Sequence, residues 1–387
     1  MMFRCLTMLL PLILGGCATL AERVIPFDDL PAPTGDYGVG THIFYWTDSD
    51  RLEWFTAAPD DLRRLVVQVW YPVAAETTDS AKRGRSAFYP YVDHPAQRLA
   101  PLARQMGLPQ FLMAHIQHVA TNSLLDATPV AGPGQLPLIL FSHGLGGMRV
   151  QNTVQAEELA SLGYMVVAVD HPYDAYLTLF ADGTMADYRS GAVGNLTEAE
   201  FWALRTPQLA TRTADMRYLL DHIAALQASQ DNFWLQADLN RVGIFGHSYG
   251  GATSVMAAAT DPRIKAIAAL DGWMLPVPQE TIDAGLIVPF LYIGRRAWDD
   301  PLNYKKLDQL LLSSASATEH LLDDTKHMDF SDTPQFSSVA KTFGISGKVP
   351  RDAIRQLLNA KLVAFFNTYV RDAGTPNGKG PAGVQTF

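Results

Sequence analysis

The chain has 387 residues, of which 48% are hydrophobic and 18% are charged, so it is long enough to bury a sizeable core. Its formal net charge of −9 is spread along the chain without a long run of one sign, which argues against nucleic acid as a partner. Both cysteines, Cys5 and Cys17, lie near the N-terminus. The rest of the chain can therefore form neither a disulfide nor a cysteine-based metal site.

The N-terminus has the pattern of an export signal. Arg4 is followed by the apolar residues 6–14 and then by two glycines, and this run is too short to span a bilayer. Residues 14–18 resemble a bacterial lipoprotein signal, in which Cys17 becomes the lipidated first residue; the alternative is an ordinary signal peptide with an incidental cysteine. We expect residues 1–17 to be this signal. A lipid anchor would then hold the protein outside the cytoplasm, and Ala18 favours the outer membrane of a bacterium.

Strand-like and helical patterns alternate through most of the chain, after a proline- and glycine-containing tether at residues 18–35. Apolar strand-like runs occur at residues 42–46, 65–71, 136–141, 164–169, 241–245, 264–270, 287–293 and 320–322. Helical patterns occur at 150–162, 207–226 and 351–370. This alternation predicts a mostly parallel sheet with helices on both faces and an antiparallel start. It is the architecture of an α/β-hydrolase fold, in one domain at residues 36–371.

Two segments depart from this alternation. Residues 81–130 are apolar and contain prolines, which predicts either a cap beside an active site or helices packed against the sheet. Residues 372–387 are rich in glycine and proline and are expected to form a flexible tail.

The sequence Gly-His-Ser-Tyr-Gly at residues 246–250 lies between an apolar run and a run of small residues. This context predicts a nucleophile elbow, a tight turn from strand to helix that presents Ser248. A serine hydroxyl is a weak nucleophile at neutral pH, so it needs a histidine as base and a carboxylate to orient that histidine.

In this fold the acid and then the histidine follow the serine along the chain. Only two histidines come after Ser248: His320, within the last predicted strand, and His327, in the loop that follows it. A catalytic base is expected in that loop, so His327 is favoured.

Two positions compete for the acid. Asp299 and Asp300 follow the strand at 287–293, where many proteins of this fold place the acid, but two neighbouring arginines make a surface ion pair there a natural alternative. Asp271 directly ends the strongly apolar strand at 264–270, where a lone carboxylate is costly unless it is paired. This chemistry favours Asp271.

An oxyanion hole requires two backbone N–H groups directed at the oxygen that becomes charged in the transition state. The Phe-Ser-His-Gly-Leu-Gly-Gly sequence at 141–147 follows a buried strand, where the fold places one of these donors. The two donors would be the amides of Leu145 and Tyr249. His143 precedes the nucleophile and is expected to brace this loop by hydrogen bonding.

Patterns for metal or nucleotide binding are weak. His115 and His118 have helical spacing but no evident third ligand, and the glycine pattern at 378–383 lies in the tail without a strand before it. We therefore expect neither a metal nor a cofactor.

Six short motifs together resemble the platelet-activating-factor acetylhydrolase family, the calcium-independent serine phospholipases. They are Val-Gly at 39–40, Val-Gln-Val-Trp-Tyr-Pro at 67–72, Phe-Ser-His-Gly-Leu-Gly at 141–146, Gly-His-Ser-Tyr-Gly-Gly at 246–251, Leu-Asp-Gly-Trp-Met at 270–274, and His327 with Asp-Phe at 329–330. The resemblance runs over about residues 35–370. It implies Ser248 as nucleophile, Asp271 as acid and His327 as base, with Leu145 and Tyr249 as oxyanion donors.

The resemblance also implies a class of substrate. The family removes short or oxidised acyl groups from phospholipids, while neighbouring families of the fold accept other esters. We therefore expect hydrolysis of short-chain carboxylic esters, with an ester or phospholipid as substrate. Trp273 and Met274, with Tyr249, are expected to wall the acyl pocket. A broader lipase or polyester hydrolase and a noncatalytic surface lipoprotein are the alternatives.

Overall fold

The structure is a computed structural model that describes residues 26–81, 88–130, 136–190, 196–296, 300–337, 340–342 and 344–372. The expected signal at 1–17, the first part of the tether and the tail from residue 373 onward lie outside the described residues. Those expectations stay predictions.

Twelve strands are present in the described part of the chain. They are β1 (Gly38–Leu52), β2 (Leu62–Val73), β3 (Phe88–Pro90), β4 (Ala120–Leu125), β5 (Leu136–Ser142), β6 (Met165–Asp170), β7 (Leu177–Leu179), β8 (Met185–Asp187), β9 (Ala237–His247), β10 (Ile264–Leu270), β11 (Phe290–Arg295) and β12 (Ala317–Leu322). Ten of them form one sheet in the order β12-β11-β10-β9-β5-β6-β2-β1-β4-β3, and β7 pairs with β8 separately.

The sheet is mostly parallel. Strands β12, β11, β10, β9, β5 and β6 are parallel neighbours, whereas β2 runs antiparallel to both β6 and β1. The α/β-hydrolase fold and its antiparallel start are therefore confirmed. Sequence patterns did not reveal β3, β4 or the β7–β8 hairpin; β3, β7 and β8 have three residues each, which is too few to show a periodicity.

The helices lie between these strands. They are α1 (Ala75–Ala81), α2 (Pro95–Gln105), α3 (Gln110–Met113), α4 (Thr153–Ser161), α5 (Glu198–Ala228), α6 (Tyr249–Thr260), α7 (Gln279–Ala284), α8 (Pro301–Ser313), α9 (Thr333–Phe336) and α10 (Arg351–Phe366). Short 3-10 turns occur at Ala114–His118, Trp234–Gln236 and His327–Phe330. Within the described residues, no helix is long and apolar enough to cross a membrane.

Alternation along the strands divides the core into two layers. In β5, Ile139 and Phe141 face the layer that holds α4 and α10, whereas Leu138 and Leu140 face the layer of α5, α6 and α8. Each fully buried aliphatic side chain of this kind contributes about 1.5–3 kcal/mol relative to exposure. We call the first of these the α4–α10 layer, because α4 and α10 both lie in it, and the second the α5–α8 layer, after α5 and α8. The names mark pairs of helices and not ranges.

Three predicted elements have different limits in the structure. The helix predicted to start at Pro207 begins nine residues earlier, at Glu198, because Thr197 and Glu200 form a capping box there. The strand predicted from residue 287 begins at Phe290, since Ile287 is 87% exposed in the loop before it. The last helix ends at Phe366 and continues as one π turn to Arg371.

The segments that sequence patterns left open are packed on the domain. The described half of the tether is anchored by Leu30, which is buried and whose amide donates to the carbonyl of Ala120. The segment at 81–130 extends the sheet through β4 and places α2 and α3 on the α4–α10 layer. The described part of the segment thus packs against the sheet, and several of its residues also line the cavity of the candidate active site.

Candidate active site

A cavity of about 320 Å³ opens between the carboxyl ends of the central strands and the segment at 81–130. Ser248, His327 and the loop at 144–147 form one side of it. Its apolar lining consists of Tyr91, Leu102, Met106, Met113, Ile116, Met148, Tyr176, Met328, Phe336 and Ile345. Gln105, Gln151 and Thr333 add neutral polar groups. The cavity thus joins a nucleophilic serine and a histidine to a largely apolar space.

Ser248 occupies a strained turn between β9 and α6. Its backbone has φ 57° and ψ −121°, a conformation that costs a residue with a side chain about 1–3 kcal/mol. A β-carbon on Gly246 would overlap the carbonyl of Gly250, so the glycine is required by close approach. The Ser248 amide donates to Leu270 at 3.0 Å, and the Ser248 carbonyl accepts from the amide of Trp273 at 2.9 Å. These bonds hold the serine in its strained position.

Asp271 contacts His327 directly. Its Oδ2 lies 2.5 Å from Nδ1 of His327, and the carboxylate is fully buried at the end of β10. Asp271 also has a positive φ of 43°, and its amide donates to Ile293 at 2.7 Å. With the Nδ1 proton directed at the carboxylate, Nε2 of His327 is the nitrogen that can accept a proton.

The competing acid Asp300 lies away from His327. It caps α8 by accepting from the amide of Leu302 at 2.9 Å, and Asp299 lies outside the described residues. Of the two neighbouring arginines, Arg295 contacts Asp271 and Arg296 contacts Asp323.

In the loop after β5, the amides around Leu145 are engaged in hydrogen bonds. The amides of Gly144, Gly146 and Gly147 donate to Gln151, Asp174 and Gly144 respectively, at 2.8–3.1 Å. Leu145 lies between these bonded amides. Tyr249 is the first residue of α6, where a backbone N–H has no partner within the helix and the helix dipole is positive. Together, the amides of Leu145 and Tyr249 could stabilise a developing oxyanion.

The expected acyl-pocket walls are not part of this cavity. Met274 is fully buried in the α5–α8 layer, and its amide donates to Asn303 at 2.6 Å. Trp273 packs on the same layer beside the rings of Tyr249 and Phe201, with centroids 5.7 and 5.9 Å away. These residues do not line the cavity because it opens on the α4–α10 side of the sheet, whereas the chain after Asp271 turns to the other side. The expectation that Trp273 and Met274 wall the acyl pocket stays a prediction.

Gln151 and His247 join the catalytic segments, and no sequence motif indicated this role for either. Gln151 Oε1 accepts from the amide of Gly144 at 2.9 Å, and its Nε2 donates to Nδ1 of His247 at 3.0 Å. His247 Nε2 in turn donates to the carbonyl of His327 at 3.0 Å. Burial, with a smaller contribution from the charge of His327, holds the pKa of His247 well below its usual value. His247 is therefore neutral, and it links the oxyanion loop to the loop of the base.

Behind the oxyanion loop lies a buried polar network that sequence reasoning found only in part. His143 accepts from the amide of His171 at 3.1 Å, which is the bracing role expected for it. His171 donates to Asp215 at 2.8 Å, and Asp215 forms an ion pair of 2.6 Å with Arg63. Burial, followed by the charge of Arg212, lowers the pKa of both histidines well below the usual value. Both imidazoles are therefore neutral members of a rigid support.

No metal site is evident in the described part of the chain, where no three His, Cys, Asp or Glu side chains are placed to hold an ion. His115 and His118 lie in a 3-10 turn, and the His115 ring packs on Phe27 with a centroid distance of 4.5 Å.

Replacing Gln151 with leucine tests the link between the catalytic segments. The change leaves the Gly144 amide and the His247 ring without their partners, and a buried unsatisfied group costs about 1–3 kcal/mol. We expect labelling of Ser248 by a fluorophosphonate to slow by about 10-fold or more. Gln105→Leu, at another amide that lines the cavity, is the matched control. Equal labelling rates in the two variants would contradict the role of Gln151.

The chain is similar to known proteins over the whole of this domain. A family model described as platelet-activating factor acetylhydrolase, isoform II, matches residues 26–373. A platelet-activating factor acetylhydrolase from Cavia porcellus is 26% identical over 264 residues, covering 63% of this chain and 59% of the relative. A probable 1-alkyl-2-acetylglycerophosphocholine esterase from Arthroderma benhamiae is 25% identical over 375 residues, covering 92% and 91%.

A solved structure is similar as well. The ferulic acid esterase from Streptomyces cinnamoneus has a TM-score of 0.70 and 26% identity, covering 92% of this chain and 96% of that one. The matched region spans about three fifths of the length of the Cavia porcellus relative, whereas it spans nearly all of the fungal one. Since the family model extends over the whole described domain, the chain belongs to the platelet-activating factor acetylhydrolase family, isoform II.

Proposed function

We propose that this protein is a serine carboxylic ester hydrolase that acts on short-chain esters through an acyl-enzyme on Ser248. The observation that supports this most is the 2.5 Å contact between buried Asp271 and His327, in a structure that holds Ser248 in a strained turn on the same cavity. A strained serine and a buried carboxylate both cost stability. A protein that only bound ligands would have no need for either.

The reaction proceeds in two steps. Ser248 Oγ attacks the ester carbonyl carbon and its proton passes to Nε2 of His327, while the amides of Leu145 and Tyr249 receive the charged carbonyl oxygen. The bond to the alcohol oxygen breaks, and His327 returns its proton to the leaving alcohol. Water then attacks the acyl group on Ser248, with His327 again taking and returning the proton. Asp271 stabilises the imidazolium that forms in each step.

The substrate we propose is an ester with a short acyl group, including short or oxidised acyl chains of phospholipids. The names of the family and of its mammalian and fungal relatives refer to acetyl esters and support this class. The cavity supports it too, because its described lining is apolar apart from neutral amide and hydroxyl groups and two histidines, His247 and His327. A neutral acyl chain can be buried there without loss of hydration of a charge.

Ser248→Ala tests the proposal. We expect hydrolysis of p-nitrophenyl acetate to fall by a factor on the order of 10⁴ or more, because no other group replaces the nucleophile. The wild-type protein is expected to be labelled by a fluorophosphonate on Ser248, and the variant is expected to resist labelling. Circular dichroism should show the same fold in both. Full activity in the folded variant, or an unreactive wild-type protein, would contradict the proposal.

A second candidate is a broader esterase, such as a lipase or polyester hydrolase. It is favoured by the size of the cavity and its four methionines, since flexible thioether side chains adapt to varied apolar groups. The structural similarity to a ferulic acid esterase over nearly the whole chain also supports a larger acid than acetate.

A panel of esters separates these two candidates. We expect kcat/KM to be highest for acetyl to butyryl esters and to fall by at least about 10-fold for decanoyl esters, with EDTA without effect. A 2-acetyl phospholipid and a feruloyl ester should be measured beside them. A maximum with decanoyl or feruloyl ester would favour the broader esterase.

We also propose that the protein is anchored by lipid at Cys17 on the outer face of a bacterial inner membrane or, as Ala18 favours, on the outer membrane. The support is the signal pattern before Cys17; nine residues after Cys17, the carbonyl of Pro26 already accepts a hydrogen bond from the Ser337 hydroxyl of the domain. Residues 18–25 would then connect the anchor to the domain.

The anchor is tested by the mass of the mature N-terminus. In cells that process lipoproteins, we expect a chain that begins at Cys17 and carries acyl groups, and that partitions with membranes. Cys17→Ala should release the enzyme from the membrane fraction without changing its specific activity. An unmodified Cys17 in the wild-type protein would contradict the anchor.

A further inference from the structure

Arg295 shares the carboxylate of Asp271 with the catalytic histidine. Its Nε lies 3.1 Å from Oδ2 of Asp271, the same oxygen that lies 2.5 Å from Nδ1 of His327. The backbone amide of Arg295 donates to the other oxygen, Oδ1, at 3.0 Å. The arginine side chain is 17% exposed and the carboxylate is fully buried. This ion pair is thus shielded from water more than a surface pair.

The position of Arg295 is set by the end of β11. Arg295 pairs in register with Leu322 of β12, and its carbonyl accepts a hydrogen bond from the hydroxyl of Tyr304 in α8. The next residue, Arg296, is directed away from the site. Its Nε pairs with Asp323 at 2.7 Å, and its side chain is 59% exposed.

We infer that Arg295 is a positioning residue for the triad, which orients Asp271 through both carboxylate oxygens and offsets part of its negative charge. The inference rests on the proposed ester hydrolase function. An imidazolium forms beside Asp271 in each step, and the carboxylate stabilises it. A guanidinium on the same oxygen offsets part of that negative charge, so it weakens the attraction between the carboxylate and the imidazolium.

Other charged and titratable groups around this pair have partners of their own. From β9, His247 is neutral because burial, more than the charge of His327, lowers its pKa. From the loop of the base, Asp329 accepts from the amides of Lys326 and Gly347 at 2.7 and 2.8 Å. Burial is the main cause of its raised pKa, to which the charge of Asp271 also contributes.

After β12, Asp323 is paired with Arg296. Tyr292 of β11 donates to the carbonyl of Gly272 at 3.3 Å. Arg295 is therefore the cation in contact with the catalytic carboxylate among the residues described here.

The test compares the pH dependence of kcat/KM for p-nitrophenyl acetate in three variants. In Arg295→Gln, we expect the acid limb of the profile to move to higher pH by about one unit. We also expect kcat, measured at the alkaline plateau, to fall by about 3- to 10-fold because Asp271 is less well oriented. Arg295→Lys keeps the charge, so its acid limb should stay near that of the wild type even if its plateau falls. Arg296→Gln removes an equal charge one residue away and should leave both parameters unchanged.

Two results would overturn the inference: an acid limb that does not move in Arg295→Gln, or one that moves equally in Arg296→Gln. A fall in kcat without a shift would mean that Arg295 only supports the local structure. Proton NMR titration of the His327 ring measures the same shift without turnover. An inactive wild-type protein whose ring titration still responds to Arg295→Gln would refute the ester hydrolase and leave the Arg295 contact intact.

Discussion

The active site depends on one constraint, the locking of two left-handed turns against each other at the ends of adjacent parallel strands. Ser248 and Asp271 both have positive φ, which is unfavourable for residues with a side chain. The cost is borne because the turns share hydrogen bonds: Ser248 donates to Leu270, and Trp273 donates to Ser248. A change in one turn would therefore also displace the other, because these two hydrogen bonds connect the turn of Ser248 with the turn of Asp271.

Hydrogen bonds through neutral side chains then connect these turns to the remaining catalytic groups. Gln151 and His247 form a chain from the oxyanion loop to the backbone of His327. Both links are neutral side chains. Charged groups contact the site at other points: Arg212 donates to the carbonyl of His143, and Arg295 contacts Asp271.

The two layers of the core place the cavity wall and the chain after Asp271 on opposite sides of the sheet. The cavity opens toward the α4–α10 layer, where the segment at 81–130 supplies much of its wall. Trp273 and Met274 continue from the acid turn into the α5–α8 layer and serve as packing there. Changes in the segment at 81–130 could therefore alter the shape of the cavity while the strand ends that hold the catalytic turns stay in place. This arrangement is consistent with one fold that accepts acetyl esters in some proteins and a ferulic ester in another.

The sequence by itself determined the parallel sheet, the chain order of Ser248, Asp271 and His327, and the glycine-rich loop around Leu145, because each is a local pattern tied to a strand end. Only the tertiary structure decided which side chains wall the cavity and which groups support the triad. Gln151 and Arg295 belong to no motif, and they acquire their roles by meeting residues 96 and 24 positions away. These contacts depend on how the helices pack on the sheet and on the direction in which the chain leaves each strand. The local periodicity of the sequence specifies neither of these.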